Sequence, residues 1–395
     1  MKTKIGVFFG GRSTEHEISV ISANQAMHAI DRNRYDVVPV YISKQGKWYT
    51  GEALFDVANY RDIPALLAKC TQVYMEPSFG DCNLYKVKRS MFGNPVADKL
   101  DVVIPVLHGS NGEDGTFEGI LDSIGIPYAG CDTLASANGM DKITMKMILR
   151  ECDIPVVDYV WFTDKQWYKQ RADLIEKIEK KIGYPVIVKP ANLGSSVGIG
   201  RAVDRTQLVE RVAEAEKYSS RIIVEHMVEN LKEINCSVLG DCNDYQTSVL
   251  EEPIKSGEIL SYTDKYMGGT KGAKGMQASQ KRIPADLPEE MTKRIQFLAG
   301  ETFRVLGCHG VSRVDVIVDA DNDNIYVNEI NTIPGSLSFY LWEATGITFD
   351  QLMDRLVQLA LKRHREKQLK TVSYDANIFS MGGGVKGGVK GAKSK

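Results

Sequence analysis

The sequence predicts an α/β protein whose N-terminal domain is built on a parallel, Rossmann-like sheet. Three stretches carry that expectation. Lys4 to Phe9, KIGVFF, is a strand-like run that leads through GGRSTEHE into a helix whose Val20, Ala23, Met27 and Ile30 share one face. Asp101 to Leu107, DVVIPVL, is a continuous apolar run of the kind found in strands buried on both faces, and a glycine-rich loop and a helix from Phe117 to Ile124 follow it. Pro185 to Pro190, PVIVKP, repeats the pattern and runs into ANLGSSVGIG.

The chain has 395 residues, of which 43% are hydrophobic and 25% charged, enough for two or three domains with real cores. A net charge of -2 gives no electrostatic case for nucleic acid as a partner. The cysteines at 70, 82, 131, 152, 236, 242 and 308 form no C-x-x-C pair and are odd in number, which predicts reduced thiols rather than a disulfide framework. Ile5 to Phe9 is too short for a secretory h-region and no later run is long enough to span a membrane, so a cytoplasmic protein is expected.

Taken in order, GGRSTEHE aims backbone N–H groups and a helix N-terminus at an anion, but the G-x-G-x-x-G dinucleotide fingerprint is missing, which disfavours a nicotinamide-dependent dehydrogenase. Glu15 and Glu17 fall in the first helical turn, where they either stabilise the helix end or, for Glu15, hold a substrate ammonium. Lys44 to Lys99 loses periodicity and reads as an insertion. His108 sits just past a strand's carboxyl end among Gly109, Gly112 and Gly115, where ligand sites of open α/β sheets collect. Helices are expected from Lys142 to Arg150, Ala172 to Ile182 and around Leu208 to Ala215. Lys189, at the end of a buried strand beside a glycine- and hydroxyl-rich loop, suits a phosphate clamp. Glu225, in the strand RIIVEHMV, and Glu233 are either surface acids or contacts to a nucleotide's base and ribose.

Ser261 to Arg282 is rich in glycine and lysine and is either disordered or a lid whose Lys265, Lys271 and Lys274 close on phosphates. A helix from Pro288 to Leu306 leads to Val314–Val318 and Ile325–Ile330, which read as a hairpin around DADNDN. Alternation puts Arg313 and Asp315 on one face, and Glu329 and Asn331 on one face; whether the two coincide depends on register. If they do, Asp315, Glu329 and Asn331 supply hard oxygen ligands suited to Mg2+. A last helix runs from Phe349 to about Lys367. The tail MGGGVKGGVKGAKSK has no composition for a core.

In this order GGRSTEHEIS, LHGSNGEDGT, MDKITMK, VIVKPANLGSSVGIG, DKY, SRVDV and NEINTIPG resemble the D-alanine:D-alanine ligase family of ATP-grasp enzymes, over most of residues 4 to 335. The resemblance implies a pre-ATP-grasp domain over 1–130, with the insertion at about 44–99, and a two-lobed ATP-grasp α+β unit. Its lobes would cover 131–224 and 225–372, the second carrying a lid at about 256–282, with a tail over 373–395. It implies that Lys142 and Lys189 hold the α/β phosphates with Ser196 beside them, Glu225 the adenine, Glu233 the ribose and Lys265 the γ-phosphate. Asp315, Glu329 and Asn331 would bind two Mg2+ ions, with Mn2+ as a substitute. Glu15 would take the first D-alanine's ammonium, steadied by Ser195 and Tyr266, with His108 near its carboxylate. Arg313 and the Gly335 N–H would stabilise the tetrahedral oxyanion.

The implied reaction is ATP-dependent joining of two D-alanines through an acyl phosphate, for peptidoglycan precursor synthesis, in a homodimer. One departure bears on the acceptor: Tyr340 stands five residues after Gly335, where the family places a small hydroxyl residue, and Ser336 or Ser338 are alternatives. A ligase with another acceptor, such as D-serine or D-lactate, and a non-catalytic nucleotide-binding relative are the competing readings.

Overall fold

The computed structural model describes residues 2–88, 93–194, 197–254 and 281–373. The first unit contains β1 (Thr3–Gly10), α1 (His16–Ala29), β2 (Tyr35–Ile42), β3 (Trp48–Thr50), α2 (Ile63–Ala68), β4 (Thr71–Tyr74), β5 (Asn83–Lys86), β6 (Val96–Lys99), β7 (Val102–Val106) and α3 (Thr116–Ile124). Its sheet runs β6-β5-β4-β3-β2-β1-β7. Only β2-β1-β7 are parallel; β3 to β6 continue the sheet antiparallel at one edge. The sheet is therefore mixed rather than parallel, and the stretch expected to be an insertion supplies four of its strands. Strands of three or four residues are too short for an alternation to register in the sequence. β1 is apolar from Ile5 to Phe9 because both faces are covered: Ile5, Val7 and Phe9 pack with α1, and Phe8 packs with Phe117 and Leu121 of α3.

The second unit follows α4 (Thr133–Met140) and α5 (Lys142–Glu151). It comprises β8 (Tyr159–Thr163), α6 (Asp164–Lys181), β9 (Val186–Pro190), β10 (Gly200–Ala202), α7 (Arg205–Ala215) and β11 (Arg221–His226). The antiparallel sheet β10-β9-β11-β8 packs Val186, Val188, Ile222 and Val224 against Trp167 and Ile178 of α6 and Leu208 and Val212 of α7. Alternation turns Lys189 and Glu225 to the opposite face.

The third unit comprises β12 (Leu231–Gly240), β13 (Tyr245–Pro253), β14 (Lys281–Arg282), α8 (Glu289–Val305), β15 (Gly310–Asp319), β16 (Asn324–Asn331), α9 (Phe339–Ala344) and α10 (Phe349–Gln368). Its antiparallel sheet runs β14-β13-β12-β15-β16. Ile234, Cys236, Val314, Val316, Val318 and Val327 form one core with Ile295, Leu298 and Phe303 of α8 and with Ile143, Met145 and Leu149 of α5. Position 224, the expected end of the central lobe, lies within β11, and α5 joins this third core.

α10 returns to the first unit, where Leu352, Met353, Leu356 and Val357 enter the core of Ile5, Val7, Phe9 and Met27. All seven cysteines are free thiols. Among the described residues no helix is long and apolar enough to cross a membrane. Buried Arg363 fastens α10 by donating to the carbonyls of Gly130 at 2.6 Å and Tyr128 at 2.7 Å, with its guanidinium over the Tyr128 ring. Arg363→Met should leave both carbonyls without this donor and lower stability by about 2–3 kcal/mol, read by urea denaturation with m unchanged.

Candidate active site

The site is built on the polar face of the third sheet, and a β-bulge makes that face. Across β15–β16, Arg313 lies opposite Asn331 and Asp315 opposite Glu329, so the two expected faces coincide. The next pair is Val316 with Val327, which leaves Asn328 as an extra residue. Without it Glu329 and Val327, two residues apart, would share the apolar face. With it, Val327 stays in the core while Glu329 and Asn331 turn to the polar side. β12 extends the row: Asn235 is opposite Asp315 on one side and Glu251 of β13 on the other. Glu233, two residues before Asn235, shares its face.

Arg313 donates Nε and Nη2 to Asp315 Oδ1 and Oδ2 at 2.6 and 2.7 Å, a bidentate pair, and Asn331 Nδ2 adds a third contact to Asp315 at 3.1 Å. Glu329 pairs with Lys142 at 3.3 Å. Asp315, Glu329 and Asn331 thus offer carboxylate and amide oxygens on one face, the donor chemistry of Mg2+. Among the described residues no three His, Cys, Asp or Glu side chains are gathered as a metal cluster; these two carboxylates are turned to Arg313 and Lys142.

Opposite this face stand the lysines. α5 carries Lys142 and Lys146 one turn apart on its buried side. Lys142 donates to the carbonyl of Leu193 at 2.9 Å. Lys189 donates to Glu225 Oε2 at 2.6 Å and to Asn328 Oδ1, the bulge residue, at 3.2 Å. Lys146 pairs with Glu225 Oε1 at 3.2 Å. Burial pushes the Glu225 carboxyl up, but the two flanking lysines outweigh it and hold it down at about 2. Burial also lowers Lys146, whereas for Lys189 the carboxylates of Glu225, Glu329 and Glu233 overcome burial and raise it. The Glu225 side chain, expected at an adenine, is here a buried counter-ion with each oxygen facing a lysine.

At the other end, Glu15 is the N-cap residue of α1, yet its side chain caps no backbone N–H. It is 7% exposed, and its carboxylate lies so close to Gly109 that a Cβ there would meet Oε2 at 2.5 Å; Gly194 approaches it from the second unit. His108 is held at both ring nitrogens, Nδ1 by the Ile333 carbonyl and Nε2 by Ser22 Oγ, each at 2.9 Å. A neutral ring that donates from Nδ1 to the Ile333 carbonyl and accepts from Ser22 ties α1 to the chain just before Gly335. Ser195, Ser196, Lys265, Tyr266, Lys271 and Lys274 lie outside the described residues.

Gly335 opens a short turn in which Ser336, Leu337 and Ser338 have φ of 51, 53 and 51°, three consecutive left-handed non-glycine residues. Each costs roughly 1–2 kcal/mol, so the surroundings must impose the shape. The Ser336 N–H donates to Ser22 Oγ at 3.0 Å, and Leu337 is buried in the core with α1. Beyond the turn, Tyr340 donates its hydroxyl to Glu251 at 3.0 Å; Asn235 and Lys281 bind the same carboxylate, and Lys281 lies over the Tyr340 ring.

Sequence reasoning missed Lys146, Asn235, Glu251, Asn328 and Glu113. The spacing of Lys146 from Lys142 was a usable signal; the others depend on register or on loop closure. Glu113 accepts from the N–H groups of Gly109 at 2.8 Å and Ile333 at 3.3 Å, and burial, with Glu15 nearby, pushes its carboxyl up to about 8.

One sheet offers Lys189 to a second, carboxylate-bearing sheet, and the solved structures that share this fold are ATP-grasp ligases. Residues 4–131 match the profile described as D-ala D-ala ligase N-terminus, and 148–358 the profile described as D-ala D-ala ligase C-terminus. The chain is 40% identical over 382 residues to the D-alanine--D-alanine ligase of Thermosipho melanesiensis, covering 95% of this chain and 98% of that protein. It is 41% identical over 383 residues to that of Caldicellulosiruptor bescii, covering 94% and 98%. Among solved structures, the VanG D-Ala:D-Ser ligase of Enterococcus faecalis superposes with a TM-score of 0.77 at 32% identity, covering 91% of this chain and 100% of that one. The D-alanine-D-alanine ligase of Coxiella burnetii gives 0.75 at 31% identity, covering 93% and 96%. The chain belongs to the D-alanine–D-alanine ligase family.

The raised carboxyl of Glu113 has a signed consequence. The folded chain favours protonated Glu113, so stability falls as pH rises from the ordinary carboxylate range towards about 8 and is level above it. Glu113→Gln should flatten that part of the pH profile, measured as the difference in unfolding free energy between variant and wild type across the window.

Proposed function

We propose that this protein joins two D-alanines to D-alanyl-D-alanine at the expense of ATP, through an acyl phosphate. The observation that carries the reading is the single polar face on which Arg313, Asp315, Glu329 and Asn331 meet Lys142 and Lys189. Lys142 and Lys189 would bind the nucleotide's phosphates, and Glu233 its ribose. Asp315, Glu329 and Asn331 fit Mg2+, which when bound supplies charge neutralisation for phosphoryl transfer. Glu15, shielded between the Gly109 and Gly194 loops, would pair with the donor's ammonium and leave its carboxylate free to attack the γ-phosphorus. ADP leaves, and the acceptor's amine then attacks the acyl carbon. Arg313 and the Gly335 N–H would stabilise the oxyanion, a term of about 3–4 kcal/mol per donor, before phosphate departs. The loop residues Ser195, Ser196, Tyr266 and Lys265 belong to the same reading as donor-steadying and phosphate-covering groups. So do the division into a substrate domain and two ATP-grasp lobes, supply of a peptidoglycan precursor, a cytoplasmic setting and a homodimer.

A second reading changes only the acceptor, with D-serine replacing the second D-alanine. Two observations favour testing it: Tyr340 with its Glu251–Lys281 partners adjoins Arg313, and VanG, a D-Ala:D-Ser ligase, superposes well. Purified protein with ATP, Mg2+ and D-alanine should release phosphate and yield a product of the mass of D-alanyl-D-alanine; its absence at saturating D-alanine refutes the first reading. Adding D-serine or D-lactate and comparing product masses separates the acceptors. Glu329→Gln should lower kcat by about a hundredfold or more, because it removes an anionic ligand from the set that would hold the phosphate-neutralising Mg2+. A merely nucleotide-binding protein would have no turnover to lose.

A further inference from the structure

Two lysines share the Glu225 carboxylate, and they differ in what they can reach. Lys189 ends β9, is 8% exposed, and extends to Asn328 on the carboxylate-bearing sheet. Lys146 is fully buried within α5, beneath Lys142, and cannot touch a ligand. Glu225 itself is 2% exposed, and Lys146 and Lys189 are its charged partners among the described residues.

For Lys189 to bind a phosphate, it must give up the 2.6 Å bond to Glu225. A buried carboxylate left with no cation is strongly unfavourable, so a lone Lys189–Glu225 pair would resist opening. Lys146 removes that obstacle, since its ion pair to the other oxygen stays in place when Lys189 swings away. We propose that Lys146 is a positioning residue for nucleotide binding: by remaining paired with Glu225, it frees Lys189 to engage phosphate. The inference rests on the reading of Lys189 as a phosphate-binding group and names a residue outside the ligand's contact shell as the one that makes it available.

The test is a charge-compensation experiment on the full chain, with the Kd of MgADP measured by calorimetry. Lys146→Met leaves Glu225 dependent on Lys189 and should weaken MgADP by about tenfold or more. Lys146→Met with Glu225→Gln removes the carboxylate that Lys189 must leave together with its second cation, and should restore affinity to within about threefold of wild type, near the scatter of such comparisons. A structural role alone predicts the opposite, that the double variant binds as poorly as the single or worse. Equal affinity of Lys146→Met and wild type, or failure of the double variant to recover, overturns the proposal. Should Lys146→Met not fold, the same single and double comparison is made with Lys146→Gln, and the same outcomes support or overturn the proposal. If wild type itself does not bind MgADP, the nucleotide site fails rather than the role of Lys146.

Discussion

Everything at this site depends on one extra residue in β16. Strand periodicity would put Val327, Glu329 and Asn331 on a single face, and only the bulge at Asn328 lets valine fill the α8 core while the two polar residues join Asp315 and Arg313. A slip of one residue in β16 would bury Glu329 and Asn331 among Val314, Val316 and Phe303, so the register is held by burial on one side and ion pairing on the other. The bulge residue is itself used, because Asn328 reaches Lys189 from the second sheet. The irregularity that orients the carboxylates also ties the two sheets together.

The site is arranged as exchangeable ion pairs. Lys142 holds Glu329, Lys189 holds Glu225, and Arg313 holds Asp315. Breaking the Lys142–Glu329 or the Arg313–Asp315 pair alone would strand a shielded charge at a large cost, whereas Glu225 keeps Lys146 when Lys189 leaves. A nucleotide that arrives with divalent cations brings both signs at once, so phosphates can replace carboxylates at the lysines while cations replace lysines at the carboxylates. On the proposed function, such a partner exchange favours the metal–nucleotide complex over either component. It also explains why strong internal pairs need not hinder binding.

Much of the architecture could be read from continuous apolar runs and from the hairpin's alternation. Lys4–Phe9 and Asp101–Leu107 are apolar because helices cover both faces of their sheet, and each lies within a residue or so of the strand observed. The edge strands β3 to β6 left no such mark: three or four residues are too few for an alternation to register. Candidate site residues such as Glu15, Lys189 and Asp315 could be named because they sit in motif-bearing loops or in strands with a clear alternation. Glu251 and Asn235 were not, because their place beside Asp315 is set by pairing partners distant in sequence. His108 was found as a residue but not as a contact; its role follows from Ser22 and Ile333, which no local pattern connects to it.

The left-handed turn after Gly335 shows how the two ends of the site are kept in register with each other. Ser22, on α1, accepts from the Ser336 N–H and faces His108 Nε2, and His108 donates to the carbonyl of Ile333 just before the turn. The chain is therefore gripped on both sides of Gly335 by groups fixed to α1 and to the end of β7. Glu15 begins the same helix. The group proposed to take the donor's ammonium and the N–H proposed to face its acyl oxygen are thus both measured from one rigid element, although they lie 320 positions apart in sequence. Positioning within a fraction of an ångström is what acyl transfer requires, and a strained turn locked to a helix supplies it better than a relaxed loop could.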